Sequence, residues 1–252
     1  MRWLTVAALL LGGCATTNGD PRDPFEGVNR TVYVFNDKVD SWALKPVSRA
    51  YHNYLPSELR DRVRNFFANI ADPMIGVNNI LQGKFEDGFF DWVRFGFNTT
   101  FGLFGLHDIA SDMGYEKHNE DWGQTFGRWG AGTGPYVVLP FLGSSSVRDG
   151  IGTGFDLLTD PMGGLRPAEV RWGLWGVRVV QVRSDLLDVS QILEEAALDK
   201  YVFQRDAYFQ RRRSLIYDGR PPREREREPE SGSEVNAPSG RDVDNIPPGE
   251  KK

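Results

Sequence analysis

The sequence predicts a mainly α-helical single domain with one short, extended, hairpin-like segment. Between the leader and the tail, apolar residues recur at spacings of three and four, which is the periodicity of amphipathic helices. An uncharged stretch that begins and ends with glycine, residues 130–143, breaks this periodicity and predicts the extended segment. Roughly 200 residues lie between the leader and the tail, which is enough to fill one core.

The N-terminus has the composition of a secretory signal that ends at a lipidation site. Residues 1–13 place one arginine before a short apolar run, too short to span a membrane, and the following tetrad LGGC fits a bacterial lipobox that ends at Cys14. Two or more acyl chains on that cysteine suffice for stable anchoring. Ala15 stands where an aspartate would favour the inner membrane, so residues 14–22 are predicted to be a lipidated tether at the outer membrane. A signal that ends at an incidental cysteine is the alternative.

The overall composition narrows the classes of function. The net charge of −5 provides no broad basic surface for nucleic acid. Cys14 is the only cysteine, so the chain forms no internal disulfide. The 12% aromatic residues and 28 glycines are high for a helical chain and suit close packing around apolar material.

The first helix is expected to begin with a capping box, in which Asp23 is the N-cap, Pro24 the first residue and Glu26 the third. Its apolar stripe continues to Pro46, which is expected to end it. This helix either packs on the core or lies in the bilayer interface. Two shorter helices, residues 56–70 and 73–82, are predicted on either side of a break before Pro73, the second one with Gly83 as its C-terminal cap.

The next helix, which begins at Phe85, has aromatic side chains nearly all round its axis. A helix that crosses a bilayer alone needs about 20 apolar residues with few charges, and Asp91, Arg94 and Asn98 interrupt this one. A water-soluble helix keeps its apolar residues in one stripe. The helix is therefore expected to be covered on most sides, by lipid or, as the alternative, by the protein core.

The remaining elements follow from glycine, proline and capping residues. Residues 136–139 are predicted to be a strand or hairpin arm, and Ser145 or Ser146 to cap a glycine-rich helix. We also predict a bend over residues 103–113 and helices over 120–129, 167–198 and 199–217, the second of these broken near 184–185 and at Ser190. A disordered polar tail is expected over 219–252.

The sequence offers no catalytic, metal or dinucleotide site. A zinc trio of His107, Asp112 and His118 is conceivable, but capping or surface roles suit these residues better. The run GSSS lacks the nucleophile elbow G-x-S-x-G, and the glycines of DGIGTG follow no strand. We therefore expect no enzyme and no cofactor.

Several blocks of sequence, in order between residues 23 and 213, resemble the MlaA (VacJ) family of outer-membrane lipoproteins: DPFEGVNRTVYVFND, RFGFNTTFGLFGLHDIA, QTFGRWG, GTGPYVVLPFLGSSSVRD and DAYFQRRR. The run GSSS departs from the family's usual Gly-Pro-Ser. The resemblance implies a ring-like, donut-shaped helical domain over residues 23–218, embedded in the inner leaflet of the outer membrane. It also implies an amphipathic channel for phospholipids misplaced in the outer leaflet, a periplasmic carrier similar to MlaC that receives them, and a trimeric porin as partner.

The residues themselves indicate where such a channel would lie. A phospholipid has a charged head and apolar tails, so its passage needs both kinds of surface. The expected sites are a channel wall of Gly150, Gly152, Gly154, Phe155 and Leu158, a headgroup site of Arg148, Asp149 and Asp156, and a gate at Gly134, Pro135, Tyr136, Pro140 and Gly143. The headgroup residues are equally compatible with structural ion pairs. A structural, porin-associated lipoprotein and a phospholipid hydrolase are the alternative functions.

Overall fold

The first helical run is longer than the sequence predicts and begins later. The structure, a computed structural model, describes residues 19–222, without the side chains of residues 192–196; Cys14, the leader and residues 223–252 lie outside that range. Helix α1 (Glu26–Val39) continues through a π-helical turn (Asp40–Leu44) into α2 (Lys45–Tyr54). Pro46 does not end the run, because it lies in the first turn of α2, where its missing N–H costs little.

Asp23 is not the N-cap of α1, which begins after Phe25 without a side-chain cap. The Asp23 carboxylate is instead buried, where it accepts hydrogen bonds from Asn29 Nδ2 at 2.8 Å and from the Tyr201 hydroxyl. The capping-box prediction is therefore wrong, because a tertiary contact uses the carboxylate that would have capped the helix.

Residues 57–81 form one helix, α3 (Ser57–Leu81), rather than two, and Pro73 lies within it. The proline removes one backbone hydrogen bond, but α3 packs along α4 (Phe85–Thr100), and this packing outweighs the loss. Gly83 closes α3 at φ +84°, with the Lys84 N–H bonded to the Asn79 carbonyl at 2.9 Å. This geometry is the Schellman motif.

The extended segment is an antiparallel hairpin of β1 (Tyr136–Leu139) and β2 (Gly143–Ser146), with Tyr136 opposite Ser146. Ser146, not Ser145, caps the following helix by accepting the Asp149 N–H. The predicted break near Ser184-Asp185 is confirmed, but the break at Ser190 is wrong, because the helix that begins at Leu187 continues through Ser190. The other elements are α5 (Ile109–Asp112), α6 (Trp122–Arg128), α7 (Val147–Thr159), a 3₁₀ turn (Pro161–Gly164), α8 (Ala168–Asp185), α9 (Leu187–Ala196) and α10 (Lys200–Ile216).

Two asparagines of α1 bind the hairpin as a neighbouring strand would. Asn29 donates to the Tyr136 carbonyl and accepts the Val138 N–H, both at 2.9 Å. Seven residues further along the same helix face, Asn36 donates to the Leu139 carbonyl at 2.9 Å and accepts the Phe141 N–H at 2.8 Å. The free edge of β1 is thus satisfied by side chains, which fixes the hairpin on α1.

The buried residues are mostly polar. In the part of the chain that the structure describes, eight apolar residues are buried against nineteen polar or charged ones. The apolar cluster is small and joins Tyr136 and Val138 of the hairpin to Tyr201 of α10. No helix within residues 19–222 has both the length and the apolar character needed to cross a bilayer. Most of the deeply buried side chains of the described residues are therefore polar, and many large apolar side chains face outward.

Candidate functional site

Helix α4 is amphipathic in the reverse sense to a helix of a water-soluble protein. It buries Asp91, Arg94 and Asn98, whereas Phe85 and Phe89 are 69% and 62% exposed. The sequence predicts apolar side chains nearly all round this helix, but the polar residues share one buried face. Apolar surface that is contiguous and exposed marks an interaction site for protein or membrane.

Ion pairs and hydrogen bonds hold the polar face of α4 in place. Both Nη2 contacts from Arg94 to the Asp108 carboxylate are 2.9 Å, and Asn98 donates to the same carboxylate. Burial tends to raise the pKa of Asp108, but the hydrogen bonds from Ser111, Asn98 and Arg94 outweigh it and lower the pKa. A buried pair of this kind is costly to break, because one charge would be left without its partner.

The histidines also have structural contacts. His118 Nδ1 lies 2.9 Å from the buried Asp91 carboxylate, which accepts a second hydrogen bond from Asn79 at 2.7 Å. His107 contacts Arg62. No group of three or more histidine, cysteine or acidic residues within residues 19–222 has the geometry to hold a metal ion.

A second exposed apolar surface lies over α6 and α7. The Trp122 and Phe155 rings are 5.5 Å apart, and Phe126 packs against both. One face of α7 extends this surface with side chains that are 43–84% exposed: Val147, Ile151, Phe155 and Leu158.

A cavity of about 1190 Å³ lies on the other side of α7. It is bordered by α1 and the π-helical turn, the tip of the hairpin, α7, α8, α9 and α10. Most of its lining is apolar: Val39, Ala43, Leu44, Val47, Val138, Phe141, Leu142, Leu157, Trp175, Val179, Val182, Leu186, Val189, Ala197, Phe203 and Ala207.

Charged side chains interrupt this apolar lining: Asp37, Asp40, Asp156, Asp160, Arg178, Arg183 and Lys200. Arg183 forms a two-pronged ion pair with Asp40 at 2.7 and 2.8 Å. Arg178 pairs with Asp160 at 2.9 Å. The cavity lining therefore combines charged groups with an extended apolar surface.

Asp156 is the cavity carboxylate with the most perturbed titration. Its carboxylate accepts a hydrogen bond from the Trp122 N–H at 3.2 Å and has no ion pair among the described residues. Burial raises its pKa to about 6, and the negative charge of nearby Asp121 adds to the effect. The charged form of Asp156 therefore opposes folding at neutral pH.

Asp156→Asn is expected to stabilise the protein at pH 7.5. An aspartate whose pKa is raised in the folded state does not lower the free energy of unfolding at pH values below its unfolded-state pKa, because it is then protonated in both states. Its destabilising effect grows as the pH rises from there through about 6. We expect a gain of about 1–2 kcal/mol in the free energy of unfolding, because water in the open cavity screens part of the effect. At pH 4 the gain should nearly vanish.

Thermal unfolding in detergent at both pH values measures this difference. Asp188→Asn, at an exposed position of α9, removes the same charge away from the cavity and serves as the control. An Asp156→Asn protein that is less stable than the wild type at pH 7.5 would contradict the assignment.

The structure places the expected wall residues away from the cavity lining. Gly152 faces α6, where a Cβ would lie 2.4 Å from the Gly123 nitrogen, and a Cβ on Gly154 would meet nothing within 4 Å. Gly150 lies near Ser145, and Phe155 and Leu158 are on the exposed face of α7. The α7 residues that line the cavity are Thr153, Asp156 and Leu157. Helix α7 thus forms part of the cavity wall, but the face that lines the cavity is not the face that carries the exposed apolar stripe.

The expected gate residues divide between the base and the tip of the hairpin. Tyr136 is fully buried, Gly134 approaches Val147, and the Pro135 carbonyl accepts the Val147 N–H. Gly143 lines the cavity, together with Phe141 and Leu142 of the tip, whereas Pro140 lies in the turn and not on the lining. Of the expected gate residues, Gly143 at the hairpin tip is thus the one that lines the cavity.

Two of the three expected headgroup residues belong to an internal ion network. Arg148 Nε contacts Asp149 at 2.8 Å, and Arg212 bridges Asp149 and Asp121 at 2.8 and 2.6 Å. Burial tends to raise the pKa of Asp149, but Arg148 and Arg212 outweigh it and lower the pKa. Of the three residues, only Asp156 lines the cavity. Sequence reasoning missed Arg178 and Arg183, whose signal was a positive charge inside the apolar pattern of residues 170–186.

Comparisons with known proteins agree with this architecture. The family model "MlaA lipoprotein" matches residues 21–215. The Escherichia coli (strain K12) "Intermembrane phospholipid transport system lipoprotein MlaA" is 37% identical over 216 residues, covering 82% of this chain and 85% of its own. The Haemophilus influenzae protein of the same name is 29% identical, covering 85% and 89%.

A solved structure, "Structural basis for maintenance of bacterial outer membrane lipid asymmetry", matches with a TM-score of 0.67 and 36% sequence identity. The match covers 77% of this chain and 98% of that chain. Both the mainly helical fold and the resemblance read from the sequence blocks are confirmed. Because the family model spans most of the chain and close relatives cover over four-fifths of it, the chain belongs to the MlaA lipoprotein family.

Proposed function

We propose that this protein is an outer-membrane lipoprotein that removes mislocalised phospholipids from the outer leaflet through an amphipathic channel and so maintains lipid asymmetry. The cavity beside α7 carries this proposal, because its lining combines an extended apolar surface with paired charges. At about 1190 Å³ it exceeds the roughly 300–1,000 Å³ of ordinary small-molecule pockets. The names of the relatives, which refer to intermembrane phospholipid transport, support the same substrate.

We propose further that the helical domain lies as a ring-like body in the inner leaflet, anchored on the periplasmic side through acylated Cys14. The outward aromatic residues of α4, α6 and α7 support this position, since lipid would cover surface that water does not favour. Helices satisfy their own backbone hydrogen bonds, so partial burial in one leaflet carries no backbone penalty.

The proposed partners are those that the resemblance to the MlaA family implies. A periplasmic carrier similar to MlaC would receive each lipid, because the apolar tails cannot cross water uncovered. A trimeric porin would hold the protein at the outer membrane. The exposed aromatic residues of α4 offer apolar surface of the kind that interfaces use, and Phe85 and Phe89 are examples.

The test is complementation of a strain that lacks the gene. The wild-type chain is expected to return outer-leaflet phospholipid to the normal level, and Cys14→Ala to fail and to leave the membrane fraction, because its anchor is lost. Thr17→Ala, just beyond the lipobox, is the matched control and should behave as the wild type. Purified protein incubated with phospholipid should release no fatty acid.

Unchanged lipid asymmetry in the deletion strain would refute the transport function. Released fatty acid would point to a hydrolase instead. A Cys14→Ala protein that still sediments with membranes would refute the anchor alone.

A further inference from the structure

We propose that the cavity prefers phospholipids whose headgroup carries an ammonium, such as phosphatidylethanolamine, over net-anionic phospholipids. In this arrangement Arg178 binds the lipid phosphate and Asp156 binds the ammonium. The inference rests on the proposed transport function and specifies the lipid class that this cavity takes.

The first argument is the balance of charge on the lining. Four carboxylates, Asp37, Asp40, Asp156 and Asp160, face three cations, Arg178, Arg183 and Lys200. The surrounding lining is largely apolar, so these charges interact more strongly than they would in water. A lipid with a net negative charge adds to the excess, whereas a zwitterionic lipid adds none.

The second argument is that the ion pair with Asp160 uses only part of the hydrogen-bond donors of Arg178. Its Nη1 contacts Asp160 at 2.9 Å, which leaves other guanidinium N–H groups available. Its guanidinium also lies 5.4 Å from the centre of the Trp175 ring, which holds the side chain at the cavity wall. A phosphate could therefore bind Arg178 while the ion pair with Asp160 stays intact.

The third argument is that Asp156 forms no ion pair with any residue between 19 and 222. Within that range its side chain accepts a hydrogen bond from the backbone N–H of Trp122, and the negative charges of Asp121 and Asp160 make its ionisation harder. Arg212 offsets this only in part, being committed to Asp121 and Asp149. Asp160, the ion-pair partner of Arg178, follows Asp156 by four residues at the end of α7, and its charge acts on Asp156. A phosphate bound to Arg178 would therefore place the ammonium of the same headgroup within reach of Asp156.

The experiment measures which lipids the protein retains. Full-length lipoprotein in detergent is mixed with equimolar phosphatidylethanolamine and phosphatidylglycerol that share the same acyl chains, at pH 7.5. After removal of free lipid, bound headgroups are counted by mass spectrometry. The wild type should enrich phosphatidylethanolamine about three- to tenfold, the effect of one partly shielded ion pair.

Asp156→Asn, which keeps the shape and removes the charge, should bring the ratio close to one. Asp188→Asn, off the cavity lining, should keep the wild-type ratio. Equal retention of both lipids by the wild type would overturn the headgroup preference and leave the transport function standing. Retention of neither lipid would count against both, and an unchanged ratio in Asp156→Asn would overturn the role of Asp156.

Discussion

Gly152→Ala is expected to destabilise the protein by about 3 kcal/mol, whereas Gly154→Ala, two residues along the same helix, should be neutral or stabilising. A Cβ at residue 152 would lie 2.4 Å from the nitrogen and 2.7 Å from the Cα of Gly123, and neither backbone atom can rotate away. Helices α6 and α7 would have to separate, and overpacking typically costs about 1–3 kcal/mol, with the upper end expected where the contact is to backbone atoms. At residue 154 the methyl group enters open space, and alanine gains up to about 1 kcal/mol of helix propensity.

Thermal unfolding of the two variants in the same detergent provides the comparison. Both substitutions add one methyl group to a glycine of α7, so they differ only in what that group meets. Equal melting temperatures for the pair would show that α6 and α7 do not approach as closely as the structure describes.

Leu157→Asp is expected to reduce the phospholipid retained by the protein more than about tenfold, whereas Leu158→Asp should leave it within about twofold of the wild type. Leu157 lines the cavity, whereas Leu158, about 100° further round α7, belongs to the exposed apolar stripe and is 84% exposed. A carboxylate at residue 157 would have to lose water whenever an acyl chain lies against it, which costs several kcal/mol.

Mass spectrometry of co-purified lipid measures retention, and the outer-leaflet phospholipid level in complemented cells measures transport. The two variants carry the same new charge on adjacent residues, so an effect of net charge would appear in both. If Leu158→Asp abolished retention and Leu157→Asp did not, the lipid path would lie along the outer face of α7, as the sequence alone suggested.

Local signals in the sequence predicted the elements that depend on local chemistry. Gly83 was recognised as a helix end because only glycine adopts its backbone conformation without strain, and Ser146 because its hydroxyl can reach a nearby N–H. The helix break predicted before Pro73 is wrong. Proline locally favours the end of a helix, but packing between α3 and α4 outweighs that preference.

The site was harder to predict because it depends on which face of each helix turns inward. The pattern of α7 identified an apolar stripe correctly, but the usual rule assigns such a stripe to the interior. In this protein the stripe is exposed, and the cavity side carries Thr153 and Asp156. The periodicity of the sequence indicates that a helix has an apolar and a polar face, but the contacts of each face depend on the tertiary structure.

The inverted burial of α4 has a thermal consequence. Unfolding of an ordinary domain raises the heat capacity by about 12–15 cal/mol/K per residue, since newly hydrated apolar groups raise it and newly hydrated polar groups lower it. In α4 the rings of Phe85 and Phe89 are already outside, while Asp91, Arg94 and Asn98 become hydrated only when the helix comes apart. For protein without a lipid or detergent cover, we therefore expect this region to add less to the heat-capacity increment than a helix that buries its rings. Its free energy of unfolding should then change less steeply with temperature.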